Sequence, residues 1–455
     1  MSFRNRVLLA LALPIVVVAC GPRKPPSVVL ISVDTLRADA LSAYGGLVGT
    51  PSFDRLAAQG VLFERAFAPT PATAPSHATL FTGQEVQRHG VLRNGESLPE
   101  TATTLAEAFR DHGYQTAGFV SSFVLDPRFG WGQGFAHFDA ALPETGSTMG
   151  KRQPYPGAFW SAQRFEGFDR RATATTRAAI SWLATTPEPF FLFVHYFDPH
   201  APYVPPKVFA DRSAALRFPL DGRSVEGVAP RKLEQLVQRY HGEVLYVDDA
   251  LAALLDAVER RTHDKALVVL TADHGEGLGQ HGWLEHATNL YDEQIHVPLL
   301  VRWPGEVPAG RRIATPVGLV DVAPTVLALA GIESTAPRDG RSLAAAIRGD
   351  AELPPRPLFG IRRLIDETTG WGHGVKLSVR NDRWKYIFSS DAPHELFDLE
   401  ADPGEQHNVI AAQADRAAEL RGILEKHVAE LPRTHDAAPL SDETRRALHA
   451  LGYLE

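Results

Sequence analysis

The chain predicts an α/β fold, a doubly wound and mostly parallel sheet with helices on both faces, and three observations carry that reading. Unbroken apolar runs in "SVVLISV", "PFFLFV" and "ALVVLTA" have the texture of central strands covered on both sides. Helical stretches alternate with them, as parallel crossovers require. Polar residues capable of chemistry follow the carboxyl ends of those runs, where doubly wound sheets bind ligands.

The elements follow in order. "VLLALALPIVVV" after Arg4 and Arg6 is a targeting segment too short to span a bilayer comfortably, and "VVAC" ends it at Cys20. Cys20 is the single cysteine of 455 residues, so no intrachain disulfide framework exists. The pattern resembles a lipoprotein signal: residues 1–19 are expected to be cleaved, Cys20 acylated, and 20–27 left as a tether. The anchor would be stable, since each buried methylene contributes about 0.8 kcal/mol. "VVLISV" then opens a catalytic domain over 28–369. "PSFDRLAAQGVLF" and "TATTLAEAFRDHGYQTAGFV" each read as helix, glycine break and strand. Residues 140–230, rich in Pro, Gly and Arg, read as long surface loops around the "PFFLFV" strand. "RKLEQLVQRYHGEVLYVDDALAALLDAVE" is a long amphipathic helix leading into "ALVVLTA". From about residue 370 short alternating segments, "GVKLSVRNDRWKYIF" and "HELFDL", predict antiparallel strands, closed by a helix in "DRAAELRGILEKHVAEL". This gives a small α+β subdomain over 370–455.

Composition narrows the function. A net charge of −8 and the lack of a long basic run argue against a nucleic-acid-binding surface. No Gly-x-Ser-x-Gly elbow and no P-loop occur in the sequence.

Four polar sites fall at strand ends. Asp34 follows "VVLISV"; His195, Asp198 and His200 lie at or after the end of "FFLFV"; Asp273 and His274 follow "ALVVLTA". In "TPATAPSHATLFTG", Thr73 is expected near a helix start whose amides favour anions. Asp34, Asp273 and His274 with the Thr73 hydroxyl make a divalent-metal donor set. A cation there would lower the hydroxyl pKa and offset charge on an oxyanion. Ser76 reads as a capping hydroxyl.

At these residues the sequence resembles the sulfatase family of the alkaline phosphatase superfamily. The resemblance runs through "VVLISVDTLRADALSAYG", "TAPSHATLFTG", "FDPHAPYVPP", "TADHGEGLGQHG", "YDEQIHVPLLVRWPG", "LVDVAPTVLALAGI" and "ELFDLEADPGEQHNV", in family order. It implies an alkaline phosphatase-like fold and one divalent cation. Thr73 stands where sulfatases carry the Cys or Ser matured to formylglycine, and a secondary alcohol is expected to stay threonine. His77 replaces the motif's Arg. In these two respects the segment, with "HGVLRN" after it, is similar to nucleotide pyrophosphatase/phosphodiesterases, which use an unmodified threonine. Imidazole with aspartates favours zinc or manganese, with calcium a possible ion.

The resemblance implies an ester hydrolase working through a covalent threonyl intermediate. Phosphoric diesters or phosphonate esters are the favoured substrates and sulfuric esters, on glycans or aryl groups, the alternative. An envelope transferase and an inactive binding lipoprotein are the remaining alternatives. His200 matches a substrate-binding histidine of the family, and His286 lies close to a substrate-contacting lysine position. Either could pass a proton to the leaving group. His77 is a candidate for contact with the nucleophile or substrate, and His281 for contact with substrate. Arg37, Arg88, His89 and Asn94 are expected to border the site, with Asp39 the competing partner of Arg37. Asp198 and His200 lie too close together to match the second-zinc element of the phosphodiesterases.

Overall fold

The computed structural model describes residues 24–143, 168–364 save 219 and 221, and 374–431. The expected signal peptide, Cys20 and the first part of the tether lie outside the described residues, as does the chain beyond 431. Fifteen strands occur among the described residues. The main sheet takes β1 (Val28–Val33), β2 (Val61–Phe67), β3 (Gln115–Phe119), β4 (His137–Asp139), β5 (Phe190–Tyr196) and β6 (Leu267–Ala272). A two-residue hairpin, β7 (Gly277–Leu278) and β8 (Leu284–Glu285), precedes β9 (His296–Arg302), β10 (Arg311–Ile313) and β11 (Val317–Gly318) of the same main sheet. A second sheet holds β12 (Leu358–Leu364), β13 (Gly374–Arg380), β14 (Trp384–Ser389) and β15 (Glu395–Asp398).

The main sheet runs β10-β2-β9-β6-β1-β5-β3-β4, with β11 beside β2. β9 alone runs antiparallel to its neighbours, β2 and β6. The mostly parallel sheet expected from the apolar runs is therefore observed. β1 sits at its centre, and the registers decide where the site falls. Val33 pairs with Tyr196 of β5 and with Ala272 of β6, so all three strands end level. Asp34 and Asp273 are the first residues beyond that common edge.

Helices cover both faces. The Leu105–Asp111 helix starts on a reciprocal Thr104–Glu107 capping box. Pro230–Thr262 forms one 33-residue helix. The stretch read as long loops is more ordered than expected. It holds the Ala172–Leu183 helix and the Lys207–Ala214 helix, although residues 144–167 lie outside the described part. Its alanines and threonines bury one face on the sheet, a weak pattern among so many arginines.

β12 to β15 form an antiparallel sheet under the Ala414–Glu430 helix, whose Leu420 and Leu424 pack on Val379, Tyr386 and Leu396. β12 belongs to this sheet, so it begins ahead of the boundary expected at 370. β12 pairs residue for residue with β13, Leu358 with Arg380 through Leu364 with Gly374. The two sheets are bolted together by buried charge. The Lys385 ammonium lies 2.8 Å from Asp292 and 2.7 Å from Glu405, and Arg380 reaches Asp292 at 2.8 Å.

Candidate active site

The site is built on the level ends of β1 and β6. The Asp34 amide is held by the Tyr196 carbonyl (2.9 Å), and Thr35 turns away in the left-handed region at φ 56°. The Tyr240 hydroxyl fixes that turn, donating to the Thr35 carbonyl (2.9 Å) and accepting from the Arg37 amide (3.0 Å). After β6, one Asp273 carboxylate oxygen accepts from the amides of Thr35 (3.2 Å) and His274 (2.9 Å). Gly275 is required next, because a Cβ there would stand 2.2 Å from the Glu293 carbonyl oxygen. The "DHG" turn thus needs its glycine for close approach.

Thr73 is the first residue of the Thr73–Thr82 helix, which is buried along its whole length. Its hydroxyl lies 3.4 Å from His274 Nε2. His274 Nε2 in turn is 3.5 Å from Asp273 and 3.8 Å from Asp34. Asp34, Asp273 and His274 offer donor atoms within 4.8 Å of one another, and all three are buried. Three polar positions expected to converge have done so, with the threonine beside them.

Two features make this donor set fit a cation. His274 Nδ1 donates to the Gly275 carbonyl at 2.9 Å, which leaves the lone pair on Nε2, facing the carboxylates. Both carboxylate oxygens of Asp34 and one of Asp273 are buried without a hydrogen-bond partner. Burial pushes the Asp34 pKa up to about 7; His274 opposes the shift and Glu276 adds to it. Such uncompensated buried oxygens are costly unless a positive charge meets them.

The other expected residues separate into three groups. His200 and His286 do reach the site. The imidazole of His286 is 4.5 Å from that of His274 and 4.8 Å from that of His200, centroid to centroid. His286 Nδ1 lies 3.1 Å from the Glu276 carboxylate, and His200 Nδ1 donates to the Ala201 carbonyl at 2.5 Å while its ring stacks on Phe197. His77 touches Thr73 at its backbone: Nδ1 donates to the Thr73 carbonyl (2.8 Å) and Nε2 meets Ser32 Oγ (3.0 Å). It therefore clamps the first helical turn onto β1. Asn94 also borders the helix start, its side-chain carbonyl accepting from the Ala74 amide (2.8 Å).

The anion-binding helix start expected at Thr73 is largely consumed. Ala74 donates to Asn94, Pro75 has no amide hydrogen and the Ser76 amide closes on the Ala72 carbonyl. Ser76 is no cap either; its hydroxyl donates to the Asp273 carbonyl at 2.6 Å, tying the helix to the β6 turn.

A third group is structural. Arg37 makes a two-pronged pair with Asp39 and donates to the Glu276 carbonyl (2.9 Å). Arg88 pairs with Asp339 at 2.8 Å. His89 accepts from the Val91 amide and meets the Thr79 hydroxyl. Asp198 is bound to Arg171 at 2.6 Å and caps Ala172. His281 meets Glu293 at 2.6 Å and the Glu405 carbonyl at 2.9 Å, and so serves the junction between the sheets.

This junction gives a pH signature. Burial pulls the His281 pKa down, but the hydrogen bond and charge of Glu293 outweigh it, and the pKa sits above the ordinary histidine value. A raised histidine pKa contributes stability that is complete below the unfolded value of about 6.5 and is lost as pH rises through the folded value. The melting temperature of His281→Asn should fall furthest below the parent's under mildly acidic conditions. The gap should narrow as pH rises above about 6.5; a gap independent of pH would contradict this.

Sequence reasoning missed Glu276, whose carboxylate orients His286, because "DHGEG" reads as a glycine-rich turn. It also missed Arg362 and Lys376 of the second sheet. Lys376 donates to Asn289 (2.7 Å) and Arg362 to the Ala287 carbonyl (3.4 Å), on the turn that follows His286. Nothing local marks either residue, since β12 and β13 meet that turn only in the folded chain.

A buried metal-type donor set at the level ends of parallel strands, with a hydroxyl and two further imidazoles beside it, is the kind of arrangement found in metal-dependent hydrolases. Sequence comparison then fixes the family. A family model described as Sulfatase matches residues 26–332 and one described as N-sulphoglucosamine sulphohydrolase, C-terminal, matches 279–434; the chain belongs to the sulfatase family. The uncharacterized sulfatase YidJ of Escherichia coli (strain K12) is 26% identical over 423 residues, covering 85% of this chain and 83% of its own. Among solved structures, the phosphonate monoester hydrolase of Agrobacterium radiobacter superposes with a TM-score of 0.73 at 27% identity, over 89% of this chain and 95% of that one. BT4656, solved with its substrate D-glucosamine-2-N,6-O-disulfate, shares the fold, with a TM-score of 0.74 at 22% identity over 92% of this chain and 100% of that one. Enzymes of this family are ester hydrolases that bind a divalent metal.

Proposed function

We propose that this sulfatase-family protein hydrolyses phosphoric diesters or phosphonate esters through a covalent intermediate on an unmodified Thr73. The observation that carries the reading is the Thr73 hydroxyl, at a helix start 3.4 Å from His274 Nε2; the sequence resemblance sets Thr73 where sulfatases carry their formylglycine precursor. A secondary alcohol cannot become an aldehyde, so the hydrate that expels sulfate in sulfatases is denied to this chain. The second step must be attack by water on the central atom, a step well suited to phosphoryl groups and their loose transition states.

Asp34, Asp273, His274 and the Thr73 oxygen would hold one divalent cation, and the imidazole beside two carboxylates favours zinc or manganese over calcium. When bound, the cation supplies Lewis acidity that favours the Thr73 oxyanion and offsets charge on the ester. Thr73 reacts as the alkoxide, its proton having passed to solvent. Its oxygen bonds to phosphorus in line as the bond to the leaving oxygen breaks. His286 Nε2 gives that oxygen a proton, and Glu276 at Nδ1 stabilises the charged ring beforehand. His286 then takes a proton from water, whose oxygen attacks phosphorus and releases Thr73. His200, held at Nδ1, presents its ring to a non-bridging oxygen, and His77 keeps the helix start against β1.

Family membership supports a second reading, a sulfuric ester hydrolase, and a transferase shares the first half-reaction. The test is a panel of bis-aryl phosphate, aryl phosphonate ester, aryl phosphate and aryl sulfate, offered to the full chain with zinc, manganese or calcium. The expected result is a kcat/KM for the diester or phosphonate about tenfold or more above that for the sulfate. A preference for sulfate gives the second reading; turnover that appears only with an added alcohol acceptor gives the transferase. We further propose, on sequence alone, that Cys20 carries a lipid anchor in the cell envelope.

A further inference from the structure

We infer that His195 is a positioning residue that fixes Asp34 for metal binding by aiming an Nε2 proton at its carboxylate. His195 lies on β5 opposite Ser32 of β1 and is fully buried. Its Nδ1 accepts a hydrogen bond from the Ser121 amide at 3.4 Å, and an amide can only donate. The ring proton is therefore on Nε2. Nε2 stands 3.6 Å from one Asp34 oxygen, and neither atom has another hydrogen-bond partner.

The far side of the ring is anchored. The Ser121 hydroxyl donates to the His195 carbonyl (2.7 Å) and meets the Thr175 hydroxyl (2.6 Å). Thr175 accepts from Arg170 (3.1 Å), which is paired with Asp139 (2.9 Å). A chain of hydrogen bonds thus leads inward from the surface and ends on a donor facing Asp34. Carboxylate ligands held by such a partner keep one oxygen turned to the ion.

The same ring admits a competing interpretation. His77, His195 and Asp273 also offer nitrogen and oxygen atoms within 4.8 Å of one another, close enough for a second cation. The hydrogen bonds argue against it. His77 Nδ1, the nitrogen 3.7 Å from Asp273, is the one that donates to the Thr73 carbonyl, and His195 Nε2 carries its proton. Neither of these nitrogens has a lone pair free for an ion.

The inference rests on Asp34 as a metal ligand, and the experiment separates the two. Zinc or manganese is titrated into the metal-free full chain by calorimetry, with melting temperature read in parallel. His195→Leu is expected to weaken affinity by about 10- to 100-fold, with no loss in the metal-free melting temperature. His195→Gln, which keeps a donor near the Nε2 position, is expected to restore most of the affinity. Leucine binding as tightly as the parent overturns the inference, and glutamine losing as much as leucine makes His195 a direct ligand instead. Should the leucine variant fail to fold, His195→Asn replaces it: asparagine can reach Ser121 but not Asp34, and affinity equal to glutamine's overturns the inference. Unchanged affinity in Asp34→Asn would instead remove the site reading beneath it.

Discussion

Thr73→Ala is expected to lower kcat/KM for the preferred ester by about 10⁴-fold or more, the scale on which enzymes lose rate when a nucleophile is deleted. Metal affinity should change far less, because Asp34, Asp273 and His274 remain. The two readouts together separate a lost nucleophile from a collapsed site. Thr73→Ser keeps a hydroxyl and should keep measurable turnover. Acid quench during turnover should trap the intermediate, and the mass of the peptide spanning Thr73 should rise by the transferred group. An alanine variant within about tenfold of the parent, or a quenched peptide carrying nothing, would remove the threonyl mechanism.

The second large effect concerns Asp34. Its two oxygens and one of Asp273 are buried without hydrogen bonds, an arrangement that is costly in the metal-free fold. Asp34→Asn removes one charge at nearly constant volume. The metal-free variant is expected to melt no lower than the metal-free parent, while stabilisation by added ion largely disappears. A ligand at about 1,000 times its Kd contributes about 4 kcal/mol to stability, so the loss is readily seen by calorimetry. Turnover should fall with it. An asparagine variant that still gains the full metal-dependent rise in melting temperature would show that the ion binds elsewhere.

Much of this was legible in the chain. Apolar runs of six or seven residues announced β1, β5 and β6, and parallel sheets place chemistry at one edge, so Asp34, Asp273 and His274 could be named before any coordinate. Their coincidence with Thr73 required only that "PSHATLF" be helical. What stayed hidden depends on contacts between distant segments. Arg88 and His89 resemble site residues in sequence, yet Asp339 and Thr79 claim them. His195 reads as one more residue of a buried strand until the amide of Ser121, 74 positions away, sets its tautomer. The spent amides at the helix start were equally invisible, because Asn94 lies on another loop. β12 fell on the wrong side of the expected boundary because a single strand carries no sign of the sheet it will join.

The Lys385 bolt has a consequence for how such a chain can change. Asp292 belongs to the segment that carries His286, while Lys385 and Glu405 arrive with the small sheet. A genetic crossover between positions 305 and 355 would bring together halves from two parents. Unless the incoming half supplied the matching cation, the half-buried Asp292 carboxylate would be stranded close to the turn that carries His286. Inheritance of the two halves is therefore coupled.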